Sequence, residues 1–170
     1  MEDKLIESIA YILPAVVTGL VAYYIFRDML KQQTNYQKMQ VLSEKKKETL
    51  PIKLKACERM LLFCDRINPS KLVIRVHPIS NKPKDYANLL ASTIEQEFEH
   101  NLVQQLYVSQ QTWVAILAAK KAVTQKIRVT AENANEAKDI VENILIDYSK
   151  NISPTDTAKE FIIREVKGHL

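Results

Sequence analysis

The sequence predicts an all-α fold in which one N-terminal transmembrane helix continues into a stalk, followed by a compact bundle of about five helices. Three observations lead to this prediction. The 170-residue chain contains only 2 glycines, one segment of 18 residues carries no charge, and apolar residues elsewhere recur at intervals of three and four. Few glycines are available for the positive-φ turns on which all-β folds and phosphate-cradling α/β folds depend. Helices joined by short turns are therefore expected.

The uncharged segment is the strongest single signal. From Ile9 to Phe26 the chain reads IAYILPAVVTGLVAYYIF, which is close to the roughly 20 residues needed to cross the hydrocarbon of a bilayer. Aromatic residues lie toward its ends, as in the aromatic belts of membrane proteins, and its proline and glycine are common in membrane helices. The residues assigned to the membrane span include Ile9, Pro14, Gly19, Tyr23, Tyr24 and Phe26.

Three other interpretations of this segment are less consistent with its residues. A cleaved signal peptide has a basic start and small residues at its cleavage site, but this chain begins with acids and the segment ends in bulky residues. A buried helix of a globular protein rarely runs so long without a charge. An amphipathic helix lying on the membrane needs a polar face, which this segment lacks.

The flanking charges predict which way the span is oriented. Three acids and one lysine precede the segment, whereas basic residues follow it. Because positively charged flanks remain on the cytoplasmic side, residues 1–8 are predicted to lie outside and the C-terminal domain in the cytoplasm. The basic flank comprises Arg27, Lys31, Lys38, Lys45, Lys46 and Lys47.

The remaining chain divides into two predicted regions. Residues 27–50 are polar and rich in helix-forming residues, which indicates a helical stalk, and residues 51–170 are assigned to the bundle. Pro51 is predicted to begin the first bundle helix, because proline is favoured at the first helical position. Residues 71–76 are a β-branched run without a second strand to pair with, so they are either a short helix or an extended segment.

The other bundle helices are predicted from periodicity and capping residues. A four-residue apolar rhythm extends from Tyr86 to about Tyr107 and includes Leu102 and Leu106. Three N-caps are then expected, because Ser and Asn side chains accept hydrogen bonds from the first turn of a helix. These caps are Ser109, either Asn133 or Asn135, and Ser153, which is followed by Pro154.

No combination of residues predicts catalysis, a cofactor or a metal ion. Glu97 and His100 share a helix face, as in di-iron bundles, but those sites need two such motifs and two further glutamates. The pair is therefore interpreted as a solvated polar edge. Cys57 and Cys64 lie on an apolar stripe and are interpreted as buried, reduced thiols. No nucleic-acid partner is predicted, because acids are interspersed among the basic residues and the aromatics lie on apolar stripes.

Three stretches of the chain resemble a known family. They are LPAVVTGLVAYY (Leu13–Tyr24), RINPSKLVIRVHP (Arg66–Pro78) and EQEFEHNLVQQLYVS (Glu95–Ser109). Together they resemble an uncharacterised family of small, single-pass, membrane-anchored helical proteins from Bacteroidota. The resemblance implies a bacterial inner-membrane protein of unknown function and supplies no functional residues.

The function expected from these observations is a non-enzymatic, membrane-anchored interaction or scaffold module. Its expected partners are the lipid bilayer and another protein. Two alternatives remain open. The chain could be an accessory subunit of a larger inner-membrane complex, with Pro14, Gly19 and the tyrosines forming a helix–helix contact. It could also be a helical-bundle metalloenzyme that uses Glu97 and His100.

Overall fold

A computed structural model describes the backbone of residues 2–169; the side chains of residues 2–13, 15, 46 and 169 lie outside the described part. All regular secondary structure in the described part is helical, which confirms the predicted all-α class. The elements are α1 (Glu2–Arg66), α2 (Pro69–Arg75), α3 (Pro83–Glu99), a 3₁₀ helix (Leu102–Leu106), α4 (Gln110–Glu132), α5 (Ala137–Lys150) and α6 (Pro154–His169).

The chain forms two compact units, residues 1–49 and residues 50–170. Helix α1 contributes to both, so the predicted start of a new helix at Pro51 is wrong. Proline has no amide hydrogen and therefore leaves the carbonyl of Lys47 without its usual helical partner. Only one backbone bond is lost in this way, and the buried residues that begin at Ala56 anchor the following turns of α1 in the core.

The core of unit 50–170 is built from one face of each of its α-helices. Helix α1 supplies its last turns, α3 and α4 supply long apolar stripes, and α5 and α6 close the core. Tyr86 fastens the end of α2, because its hydroxyl donates to the carbonyls of Val76 at 2.7 Å and Val73 at 3.3 Å. Fully buried core residues include Met60, Cys64, Leu90, Ile94, Ile116, Val123, Ile140, Ile144 and Ile162.

Residues 71–76, for which the sequence allowed either a short helix or an extended segment, are mainly helical. Helix α2 begins at Pro69, and the side chain of Asn68 accepts a hydrogen bond from the amide of Ser70 at 3.2 Å. Leu72 and Val73 are buried. Proline at the first position and a capping asparagine therefore override the strand preference of the β-branched residues.

Two of the three predicted helix caps are present. Ser109 accepts from the amide of Thr112 at 3.3 Å, and Ser153 accepts from the amide of Thr155 at 3.3 Å. The prediction for α5 is wrong, because its cap is Glu136. The side chain of Glu136 and the carboxylate of Asp139 form a reciprocal capping box, which satisfies the amides at this helix end.

The predicted helix from Tyr86 to Tyr107 ends early, which is a second correction. Helix α3 stops at Glu99, and Asn101 has φ −112° and ψ 0°, outside the helical range. Its side-chain amide donates to the carbonyl of Glu97 at 2.8 Å and satisfies a carbonyl at the helix end. Leu102 and Leu106 then lie in the 3₁₀ helix and are exposed instead of buried, since the change of helix type breaks the apolar periodicity.

The structure does not show the predicted transmembrane span. Among the residues whose side chains are described, no helix has both the length and the apolar character required to cross a membrane. The side chains of residues 9–13 and 15, within the predicted span, lie outside that part of the chain.

Candidate functional site

A cleft of about 480 Å³ lies between the last turns of α1 and helix α3, within unit 50–170. Its α1 side presents side chains at one- and two-turn spacing, and its α3 side presents the last two turns of that helix and the two residues that follow them. The residues that line it are Arg59, Leu62, Phe63, Arg66, Thr93, Gln96, Glu97, His100 and Asn101.

Glu97 is the one acidic residue that lines the cleft. Nη1 of Arg66 donates to both of its carboxylate oxygens at 3.0 Å, and Nη1 of Arg75 donates to Oε1 at 3.3 Å. Its side chain is only 16% exposed. Two guanidinium groups therefore outweigh the single negative charge of Glu97.

Several hydrogen-bond donors around the cleft remain available. Within the described part of the chain, the side chains of Arg59, Gln96 and His100 have no hydrogen-bond or ion-pair partner, and Arg66 uses only Nη1. Arginine donates through all of its guanidinium nitrogens and accepts through none. The cleft thus combines uncommitted cationic donors with a carboxylate that is already neutralised.

Leu62 and Phe63 form the apolar wall of the cleft. The ring centroids of Phe63 and Phe98 are 5.9 Å apart, and those of Phe98 and Trp113 are 5.7 Å apart. Nζ of Lys120 stands 3.9 Å above the Phe98 ring, a cation–π contact. Trp113 is buried and anchors the core behind the wall. The phenylalanine side of the cleft is consequently held rigidly.

The interpretation of Glu97 and His100 as a solvated edge needs correction for Glu97. Both residues line the cleft, but Glu97 is largely buried and paired with arginines from two other elements. In the described residues, no group of three His, Cys, Asp or Glu side chains could hold a metal ion. Sequence reasoning missed Arg66 and Arg75, because they lie at the ends of α1 and α2, and only the tertiary fold brings these two ends to Glu97 on α3.

The two cysteines are buried free thiols. Burial raises the pKa of Cys64 to about 12, and burial also raises the pKa of Cys57. Because the reactive form of cysteine is the thiolate, both side chains are chemically quiet near neutral pH. The predicted burial of both cysteines is confirmed, and neither forms a disulfide in the structure.

A second polar cluster joins α1, α2 and α6. Asp65 accepts from Nζ of Lys71 at 2.6 and 2.7 Å and from Nζ of Lys159 at 3.0 Å. These hydrogen bonds, first from Lys71 and then from Lys159, lower the pKa of Asp65. Its side chain is 39% exposed, so the cluster is structural and partly solvated.

The residues predicted for the membrane span and its basic flank lie along α1 in unit 1–49. The side chains of Ile9 and Lys46 lie outside the described part, and those that are described are exposed. They succeed one another along this helix. The described members are Pro14, Gly19, Tyr23, Tyr24, Phe26, Arg27, Lys31, Lys38, Lys45 and Lys47.

The fold and the cleft define an all-helical protein whose candidate site is a cation-rich groove in a helical bundle. The chain belongs to a family described as a family of unknown function (DUF7935), which matches residues 3–169. This confirms the expected membership of an uncharacterised family. No curated protein and no solved structure matches the chain.

Proposed function

We propose that this protein is a non-enzymatic interaction module, tethered to the bacterial inner membrane by residues 9–26. The observation that carries the tether is a band of exposed apolar side chains around α1 among the described residues. At 100° per residue, Val17, Leu20, Ile25 and Phe26 lie on different sides of the helix, and all four are exposed. A helix that is apolar all round needs an apolar environment, which a bilayer supplies.

The proposed orientation places residues 1–8 outside and the bundle in the cytoplasm. The asymmetry of basic residues supports it, since Arg27, Lys31 and Lys38 follow the apolar segment while one lysine precedes it. We also propose that the protein comes from a member of the Bacteroidota. A cysteine placed before residue 9 should react with an impermeant maleimide in intact cells, whereas one placed in the bundle should not.

The proposed protein-binding surface is the 3₁₀ turn after α3. Leu102, Val103 and Leu106 are exposed, and Leu106 has 78% of its surface accessible. Adjacent exposed apolar residues of this kind are a common feature of protein-binding surfaces. Gln105 is also exposed beside them and could supply hydrogen bonds to a partner.

Membrane attachment can be tested by extracting membranes that contain the protein. The tagged full chain and a chain lacking residues 1–26 are expressed, and membranes are extracted with alkaline carbonate and then with mild detergent. The full chain should remain in the membrane until detergent is added, because an embedded helix is not released by carbonate. A full chain released by carbonate would contradict the tether.

The interaction surface has a matched test. V103E combined with L106E should abolish recovery of the partner that co-purifies in detergent, because both charges fall on the proposed contact. I152E is the control, since Ile152 is also strongly exposed but follows α5. A partner retained by the double variant, or lost equally with I152E, would place recognition elsewhere.

A second candidate function, an accessory subunit of a larger membrane complex, is favoured by the surroundings of Gly19. A Cβ atom at this residue would meet nothing within 4 Å. Gly19→Leu should therefore be tolerated by the chain itself and disturb only a helix that packs against it. Loss of co-purification in this variant would support a subunit role, and unchanged co-purification would exclude Gly19 from the contact.

The absence of catalysis is part of the proposal. It is supported by the pairing of Glu97 with two arginines, which leaves His100 without a free carboxylate on the cleft. The rival metalloenzyme would require iron, manganese or zinc to be retained. Metal analysis of the purified full chain tests this, and a stoichiometric metal lost in E97Q would overturn the non-enzymatic proposal.

A further inference from the structure

The cleft between α1 and α3 has the chemistry of an anion-binding site. Its lining contains two arginines and a single acid, and the acid is paired with one lining arginine and with Arg75 from α2. Counting these three arginines and Glu97, the charge around the cleft is positive. An unoccupied carboxylate, which would repel an anion, is not present on its lining.

The geometry of the free donors favours an oxyanion over a simple halide. Arg59 and Arg66 are seven residues apart on α1, so their side chains extend from the same face two turns apart. His100 lies on the opposite side of the cleft, at the end of α3. A tetrahedral oxyanion accepts hydrogen bonds in several directions at once, and guanidinium groups match it with paired donors.

We propose that this cleft binds a phosphate group, carried either by a small soluble molecule or by a lipid headgroup. Arg59 and Nη2 of Arg66 bind the phosphate oxygens, while Glu97 holds Arg66 in position through Nη1. The volume of about 480 Å³ exceeds that of a phosphate ion and falls in the range of small-molecule sites. Leu62 and Phe63 would then contact the non-phosphate part of the ligand. This inference does not depend on the proposed interaction module.

The test uses the full chain in neutral detergent and inorganic phosphate as the first probe. Isothermal titration calorimetry at low ionic strength should detect saturable binding at one site. R59Q should weaken it by roughly tenfold or more, the effect of losing a charged hydrogen-bond donor. Because Arg59 has no partner in the described chain, R59Q should leave the thermal unfolding midpoint unchanged, so loss of binding would not reflect misfolding.

Arg128 provides the matched control. It is an exposed arginine on α4 outside the cleft, so R128Q removes the same charge without removing a proposed ligand. Phosphate affinity should be unchanged in R128Q. An equal loss in R59Q and R128Q would mean that phosphate responds only to net charge, and the proposed site would be wrong.

A second probe identifies the source of the phosphate. The same proteins are titrated into detergent micelles doped with phosphatidic acid, and into undoped micelles. Binding of inorganic phosphate that is lost in R59Q supports a soluble ligand. Binding confined to doped micelles and lost in R59Q supports a lipid headgroup. No saturable binding of either probe overturns the proposal.

Discussion

The two units of this chain differ in the burial of their apolar residues. In residues 50–170, Leu90 and other core residues are fully buried on the facing sides of several helices. In residues 16–49, every described apolar side chain of large size is exposed, including Phe26 at 65%. Both units are helical, and one helix contributes to both. Helical secondary structure alone therefore does not show whether a segment buries its apolar side chains.

The contrast separates two sources of helix stability. In unit 50–170 the amphipathic helices are stabilised by burying an apolar face, the main source of helical stability in globular proteins. The segment 16–49 gains no such burial from the chain in its described part, so it depends on helix propensity and on its surroundings. Paired substitutions in the two units can test this difference directly.

The largest expected effect comes from shortening a core leucine. Leu90→Ala should lower the free energy of unfolding by about 3 kcal/mol, the usual cost of a cavity left by a buried leucine. Leu30→Ala is the matched change in unit 1–49, where Leu30 is 49% exposed, and it should cost less than about 0.5 kcal/mol. Urea unfolding followed by Trp113 fluorescence measures both values in the detergent-solubilised chain.

Trp113 is well suited to this measurement, since it is the single tryptophan and lies buried in the core. The contrast would fail if Leu30→Ala destabilised the bundle as much as Leu90→Ala. That result would mean that the N-terminal segment packs against the bundle in solution.

A smaller effect is expected from the carboxylate of the cleft. Glu97→Gln removes two ion pairs, but Arg66 and Arg75 are about half exposed and can be rehydrated. The expected loss is therefore about 1 kcal/mol. Glu44→Gln is the matched change in unit 1–49, and it should leave the unfolding of the bundle unaltered. The urea midpoint followed through Trp113 checks both variants.

An effect of Glu97→Gln no larger than that of Glu44→Gln would contradict a structural role for the arginine pairs. Raised ionic strength provides an independent check. The cost of Glu97→Gln should shrink in concentrated salt, because exposed ion pairs are screened.

The sequence predicted the bundle better than the cleft, and the reason lies in the range of the interactions. Caps such as Ser109 and Ser153 are local, since each depends on residues within three positions. The apolar stripes are also local repeats. The Arg66–Glu97 pair spans 31 positions, and no periodic pattern connects its members. Its geometry depends on how the end of α1 lies against α3, which the tertiary fold determines.

The mistaken extension of α3 illustrates the limit of periodicity. Leu102 and Leu106 continue the spacing of Phe98, so hydrophobic pattern alone favours one longer helix. The side chain of Asn101 instead bonds to the carbonyl of Glu97 and helps to end the helix. Asparagine competes with the backbone in this way. The one local signal for the break was therefore a single residue, outweighed by an apolar rhythm.

The smallest expected effect concerns pH and the Asp65 cluster. Hydrogen bonds from Lys71 and Lys159 lower the pKa of Asp65 in the folded protein. A carboxyl group with a lowered folded pKa contributes stability that is present above its unfolded pKa of about 3.9 and is lost as the pH falls through the folded pKa. Because the side chain is 39% exposed, solvent screening limits the contribution to about 0.5 kcal/mol.

Asp65→Asn should accordingly be less stable than the natural protein at pH 6 by this small amount, and the difference should shrink as the pH is lowered toward 2.5, because the contribution is lost as the folded carboxyl becomes protonated. Asp28→Asn in unit 1–49 is the control, because that aspartate belongs to the other unit and its side chain is exposed. Urea titrations at both pH values, followed through Trp113, provide the comparison. A deficit in Asp65→Asn that persisted unchanged at pH 2.5 would mean that the side chain acts through its shape and neutral hydrogen bonds instead of its charge. The junction of α1, α2 and α6 would then be stabilised by packing and neutral hydrogen bonds.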